Sequence, residues 1–348
     1  MKNSIENDLA STTSTVSANS GSAAAINPSE QPNGQSPKRI MVIPDVHGRL
    51  FWKEPVLKYL DVVDRIVFLG DYLDPYPNEE GMAENILANM MEIIELKRNN
   101  MEKVVLLKGN HDQHYASRRF KEMAGGSRMD LLNWANYNEV FAENEDLFQI
   151  AHLELVPRVQ SPKRPNDQTT KRPNDQTTKQ PNDQTTSLPD DQTTQQLEIP
   201  YVFSHAGMTL FWLKKVNDEV WHLPDNQISI SDPDIIERIN QLDDDGKGQD
   251  MLAVVGICRS WFGEKTGGIL WADVDEHATL DTPNAYGMNK AFQVFGHTKL
   301  GLGYEKVETD LFAMIDSRQC FIIDGSIKER IVSLDQYEKG RMEGKSEE

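Results

Sequence analysis

Asp, His and Asn side chains recur in five short clusters, each directly after a run of apolar residues: Asp45-Val-His47, Gly70-Asp71-Tyr-Leu-Asp74, Gly109-Asn110-His111-Asp112, Ser204-His205-Ala-Gly207 and Gly296-His297-Thr298. One such cluster arises by chance in many proteins. All five, in order and each after a strand-like run, form a specific set. Carboxylate, imidazole and carboxamide donors suit divalent cations. Two cations side by side form a clamp for cleaving phosphate esters, because a carboxylate can span a pair ~3.5–4 Å apart, which an imidazole cannot.

Positioning these groups requires strands that end where the motifs begin. Arg39–Ile43, Arg65–Leu69 and Val104–Leu107 are short apolar runs of the kind found in strands covered on both faces. Between them, Trp52–Leu60 and Met82–Leu96 carry apolar residues at helical spacing, including Ile86, Met90, Ile93 and Leu96. Further strands are expected at Gln149–Val156, Ile199–Phe203, Phe292–Phe295, Leu311–Ile315 and Cys320–Ile323, and helices at Leu210–Val220 and Ile235–Leu242. A β-α-β-α-β opening implies right-handed crossovers and an α/β fold. Ligands of such sheets lie just beyond the C-terminal strand ends, where the motifs stand.

The chain of 348 residues carries a net charge of −19, which gives no general pull toward nucleic acid or anionic membrane. It contains no run of roughly 18 apolar residues and no basic-then-apolar leader, so neither a membrane span nor a secretory signal is expected. Cys258 and Cys320 lack metal-ligand spacing. Two cysteines exclude a disulfide scaffold, fit a reducing cytoplasm, and read as buried small apolar side chains. Residues 1–38 are rich in Ser, Thr, Asn, Ala and Pro and are expected to be a disordered tail.

A tandem octapeptide, Lys163-Arg-Pro-Asn-Asp-Gln-Thr-Thr170, repeats from Lys171 and Lys179 and, in degenerate form, from Ser187. Without an apolar stripe it cannot stack as a solenoid and reads as a flexible insert over about 158–198. It would be a swollen hairpin loop. Antiparallel flanking strands would carry it roughly 15–20 Å from His205 at ~3.3 Å per residue. The main domain is then 39–335, followed by a C-terminal tail over 336–348.

The order of the five motifs resembles the calcineurin-like metallophosphoesterase superfamily over about residues 39–326, the insert excluded. That resemblance implies an α/β four-layer α/β/β/α sandwich, two mixed sheets packed face to face with helices outside. It implies Asp45 and His47 as ligands of a first metal, Asp71 bridging both, and Asn110, His205 and His297 on the second. His111 would not be a ligand. It would protonate the leaving oxygen, oriented by Asp74, while a hydroxide bridging the metals attacks phosphorus in line. Two dications against Asp45 and Asp71 would leave about +2 for an incoming phosphate, because Asn is neutral. Asp112 reads either as a partner of the site or as a helix cap. His114, His152, His222 and His277 have no motif around them and read as structural.

Lys299 stands where nucleases and cyclic-nucleotide phosphodiesterases of the superfamily carry the second His of GHxH. Three protein ligands on the first metal resemble the serine/threonine phosphoprotein phosphatase branch, as do Ile269-Leu-Trp271-Ala-Asp273 and Leu107-Lys-Gly-Asn-His111. Two departures stand beside this likeness. Pro75-Tyr76 replaces the Arg-Gly that follows GDxxD in that branch, and no Arg lies between Trp271 and Gly296. Arg259 and Lys290 are the candidates for the missing phosphate contacts.

The expectation is a two-metal phosphoesterase acting on a phosphomonoester, phosphoprotein or small molecule. A dinucleoside polyphosphate hydrolase is the alternative, and a catalytically inactive protein-binding scaffold is an alternative of another class. The metals would be manganese by preference, with iron, zinc or nickel also suited to these donors. Phosphorylated substrates are the expected partners, with no stable nucleic acid binding and no membrane. Nothing in the sequence sets the oligomeric state.

Overall fold

The computed structural model describes residues 37–116, 128–158, 197–244, 246–277, 285–301 and 304–345. Its opening elements are β1 (Arg39–Ile43), α1 (Lys53–Tyr59), β2 (Arg65–Phe68), α2 (Ile86–Asn99) and β3 (Val104–Leu107). There follow α3 (Asn110–Ala116), α4 (Trp134–Glu143), β4 (Phe148–Gln149), β5 (Ala151–Arg158) and β6 (Leu197–Ser204). Helices α5 (Leu210–Val216), α6 (Pro233–Asn240), α7 (Gly246–Leu252) and α8 (Val274–His277) lead to β7 (Phe292–Phe295). The chain ends with β8 (Val307–Glu308), β9 (Phe312–Met314), β10 (Phe321–Asp324), β11 (Val332–Ser333) and α9 (Leu334–Lys345).

Among the described residues the strands form two sheets, ordered β11-β10-β1-β2-β3-β4 and β5-β6-β7-β9-β8. Both are mixed. β1 through β4 run parallel with β10 antiparallel beside β1, whereas β6, β7 and β9 are parallel between antiparallel β5 and β8.

Alternation along the strands builds the layers. Ile40, Val42, Val67, Leu69 and Val105 of the first sheet meet Tyr201, Phe203, Val294 and Ala313 of the second in one buried cluster. The intervening Met41, Ile43, Ile66, Phe68 and Val104 point the other way, onto Val56 of α1, Ile93 of α2 and Phe141 of α4. Val202 packs with Trp212 and Leu213 of α5 and Ile235 and Ile239 of α6. With apolar side chains at both phases of the period-two repeat, each sheet must be covered on both faces. The four-layer α/β/β/α arrangement follows.

Several boundaries differ from expectation. α2 starts at Ile86 rather than Met82, because the Asn85 side chain caps it by accepting from Ala88 N at 3.0 Å. The Leu210 helix is regular to Val216 and continues as a wider π turn over Asn217–Trp221, stopped at His222 by a left-handed φ of 55°. The domain does not end at 335, since α9 packs back on the body. Tyr337 donates to Asp324 Oδ2 at 2.8 Å, and Glu338 accepts from Lys58 Nζ at 2.7 Å and Tyr59 Oη at 2.9 Å.

The expected N-terminal tail and repeat insert lie outside the described residues, except at their edges. Lys38 pairs with Glu154, and Arg158 and Leu197 are register partners at the tip of the antiparallel β5–β6 hairpin. His205 follows the other end of β6, as expected. Cys320 is buried, but Cys258 is exposed in the loop after α7, contrary to the sequence reading. Among the described residues no helix is long and apolar enough to cross a membrane.

Candidate metal centre

Asp45, Asp71, Asn110, His205 and His297 all stand within a few residues of the C-terminal ends of β1, β2, β3, β6 and β7. His47, Asp71, Asp74 and His297 hold left-handed backbone, with φ of 46°, 53°, 56° and 68°. For a residue with a Cβ that conformation costs on the order of 1 kcal/mol or more, and such strain gathers at functional sites. Sharp reversals at the strand ends turn the side chains inward. His47 N donates to Asp71 O at 2.6 Å and Gly48 N to Tyr72 O at 2.9 Å, tying the first two loops together. His297 N donates to Asp45 Oδ1 at 3.1 Å, which joins the two sheets across the site.

Two glycines make the approach possible. A Cβ on Gly296 would collide with Asp45 Oδ1, and one on Gly109 would collide with Asp71 Oδ1.

The structure brings all eight expected metal and acid residues together, and all are buried. The ligand atoms of Asp45, His47 and Asp71 lie within 4.8 Å of one another. Asp71 Oδ2 is 3.4 Å from His47 Nε2 and 3.5 Å from His205 Nε2. Asn110 Oδ1 lies 2.9 Å from His205 Nε2 and 3.0 Å from His297 Nδ1.

A carbonyl only accepts, so the bonds His47 Nδ1 to Leu73 O (2.9 Å) and His205 Nδ1 to Leu69 O (3.0 Å) place the proton on Nδ1 of each ring. Burial holds both imidazoles below their ordinary pKa, so each is neutral and its Nε2 presents a lone pair. Those lone pairs face carboxylate and carboxamide oxygens. Burial, reinforced by Asp45 and Asp112, pushes the Asp71 carboxyl well above the usual carboxylate range. Carboxylate, carboxamide and imidazole groups drawn this close, with the buried His297 Nε2 lacking a hydrogen-bond partner among the described residues, have the donor chemistry of a cation site, and these residues fit divalent metals.

His111 is oriented separately. Its Nδ1 lies 2.7 Å from Asp74 Oδ2, while the other Asp74 oxygen accepts from the Tyr115 hydroxyl. Asp74, His111 and His114 also have ligand atoms within 4.8 Å of one another, yet both Asp74 oxygens are already engaged. At 9 % exposure His111 is the most accessible of the eight. Asp112 ties the loops: its carboxylate accepts from Gly109 N (2.8 Å), Asp71 N (2.7 Å) and Tyr72 N (3.0 Å). Burial lifts its pKa to about 7 despite those three bonds. His277 is structural in contact, stacked 4.6 Å from the Phe295 ring with Nε2 on Ala206 O.

The two expected phosphate contacts fare differently. Arg259 is committed to Asp273, with Nε and Nη2 each 2.7 Å from its carboxylate. Lys290 is exposed before the start of β7, the end opposite His297, so the strand's own length keeps it from the cluster. A cation that the sequence reading missed, Arg128, also reaches the cluster. Its Nη2 lies 3.4 Å from both His47 Nε2 and His111 Nε2, and its Nε donates to Asp74 O at 3.2 Å. Arg128 belongs to no motif. The only signal for it was the arginine absent at Pro75-Tyr76.

The sequence matches the model of the calcineurin-like phosphoesterase family over residues 38–228. No curated protein matches the chain. Among solved structures, a protein serine/threonine phosphatase from Saccharomyces cerevisiae with similarity to human phosphatase PP5 aligns at 13 % identity. The alignment covers 85 % of this chain and 79 % of that one, with a TM-score of 0.39, too distant a likeness to bear on substrate. The family match ends before His297, whose place in the cluster rests on geometry alone. By that match the chain belongs to the calcineurin-like phosphoesterase family and is a metal-dependent phosphoric ester hydrolase.

Proposed function

We propose that the chain hydrolyses phosphomonoesters at a pair of divalent cations, manganese by preference. Asp45 and His47 would hold the first cation, Asn110, His205 and His297 the second, and Asp71 both. The observation that carries this reading is Asp71 Oδ2 midway between the His47 and His205 lone pairs. When bound, such a pair of cations lowers the pKa of water and takes up charge on phosphoryl oxygens.

The chain's own groups complete the site. His111, held by Asp74, delivers a proton from Nε2 to the leaving oxygen. Arg128 offers a planar fork that grips phosphate oxygens beside it. Arg259 is held by Asp273, although its charge still reaches His205 and His297. Two free cysteines, one of them exposed, fit a reducing, cytoplasmic compartment.

His111→Ala tests the assignment. It should keep its metal by elemental analysis and lose roughly 10²–10⁴ in rate on esters with poor leaving groups. Loss of metal in that variant would show that His111 is a ligand and overturn the division of roles. A dinucleoside polyphosphate is the second reading, favoured by a cationic cavity beside the site.

A further inference from the structure

The loops that carry His47 and His297 also bound a cavity of about 520 Å³ lined by Arg49, Lys299, Tyr304, Asp316 and Arg318. Arg49 and Lys299 stand two residues beyond His47 and His297. All three cations share one carboxylate. Arg49 Nε is 3.1 Å from Glu79 Oε2, Lys299 Nζ is 3.2 Å from Glu79 Oε1, and Arg318 pairs with that same oxygen. Even with Glu79 and Asp316 both ionised, three positive charges against two leave one in excess, in a chain whose net charge is −19.

Arg49 is 3 % exposed and its buried Nη1 has no hydrogen-bond partner among the described residues. A buried guanidinium left so is costly unless an anion completes it. Arg318 itself holds a left-handed φ of 61°.

Tyr76 connects this cavity to the metal centre. Its ring lies 5.0 Å from the His47 ring, edge to face, and Lys299 Nζ is 4.1 Å from its centroid. The cavity therefore begins one aromatic ring away from the cluster.

We infer that this cavity receives a second phosphate of the substrate, a short tether away from the one hydrolysed. The inference rests on the phosphoesterase reading of the metal centre and narrows its substrate class to small bisphosphates and polyphosphates. Phosphate oxygens supply what Glu79 cannot: several acceptors that reach a buried Arg fork, a second Arg and a Lys at once. Tyr304, 69 % exposed at the rim, offers a ring to the remainder of such a molecule.

The test compares propyl phosphate with 1,3-propanediol bisphosphate on the manganese-loaded full chain. The bisphosphate should show about ten-fold or greater kcat/KM, the worth of one charge-assisted hydrogen bond. Arg318→Gln and Lys299→Gln, both at exposed side chains, should close that gap through KM and leave propyl phosphate unchanged. Equal loss on both substrates, no preference in the unaltered chain, or a preference for a phosphoserine peptide over both would overturn it. Calorimetry with propane-1,3-bisphosphonate and propylphosphonate separates this from the hydrolytic reading. Tighter binding of the bisphosphonate, lost in Arg318→Gln, supports the cavity's role even without turnover, and equal affinities refute it.

Discussion

The guanidinium of Arg128 lies over the ring of Tyr76, its central carbon 3.6 Å from the ring centroid. Tyr76 directly follows Pro75, the position at which the resemblance read from the sequence would place an arginine. The cation comes here from another segment, and the ring holds it beside the imidazoles of His47 and His111.

If the ring positions Arg128, Tyr76→Ala should lower kcat/KM on p-nitrophenyl phosphate by about 2- to 30-fold, the range of one cation–π contact. Tyr76→Phe, which keeps the π face, should stay near the unaltered rate. Arg128→Ala should lose at least as much as Tyr76→Ala. A Tyr76→Ala enzyme with full activity would remove the ring from this role.

Gly296→Ala places a methyl against Asp45 Oδ1, and Gly109→Ala does the same at Asp71 Oδ1. Both should fold, by circular dichroism, yet retain less than about half the metal per chain, because displaced donors hold cations poorly. Gly340→Ala, where an added Cβ meets nothing within 4 Å, is the control and should keep its full metal content.

Removing residues 161–196 and closing the hairpin with a short turn should leave kcat and metal content unchanged. Arg158 and Leu197 are register partners at the hairpin end remote from His205. Long surface loops cost little closure entropy. Loss of metal in the shortened chain would contradict this placement of the insert.

Burial depresses the His277 pKa to about 4, with its Nε2 on the Ala206 carbonyl at 2.9 Å. The unfolded chain takes up this proton near the ordinary histidine value of about 6.5, so between there and 4 the unfolded state binds more protons than the folded one. Stability therefore falls as pH drops through that window, by about 1.4 kcal/mol per unit for this one group. His277→Phe, stacked on Phe295, should reduce the slope of unfolding free energy against pH by about one proton. Urea titrations from pH 7 to 4.5 would show it, and an unchanged slope would mean that His277 is already charged in the folded state.

Much of this architecture was written in short stretches of chain. Ile40–Ile43 and Val104–Leu107 read as strands covered on both faces because apolar side chains occupy both phases of the repeat, and so they lie. Helix ends were less legible. Asn85 and Asp232 cap α2 and α6 through single side-chain bonds, which a broad apolar period does not reveal. The helical tail beyond 335 was missed because its support is remote in sequence, with Tyr337 on Asp324 and Glu338 on Lys58.

Residue type, strand-end position and the resemblance carried by the motif order together singled out Asp45, His47, Asp71, Asn110, His205 and His297 as candidate donors, because the features that carry them lie within a few residues of each strand end. Which cations surround them was decided only by packing. Arg128 reaches Tyr76 across 52 residues of chain, His297 N finds Asp45 across 252, and Arg318 meets Glu79 across 239. Charges placed by contacts between distant segments leave no local pattern. For that reason an arginine contained in no motif, Arg128, reaches the imidazoles of His47 and His111, while Lys290, chosen by neighbourhood in sequence, stands at the far end of β7.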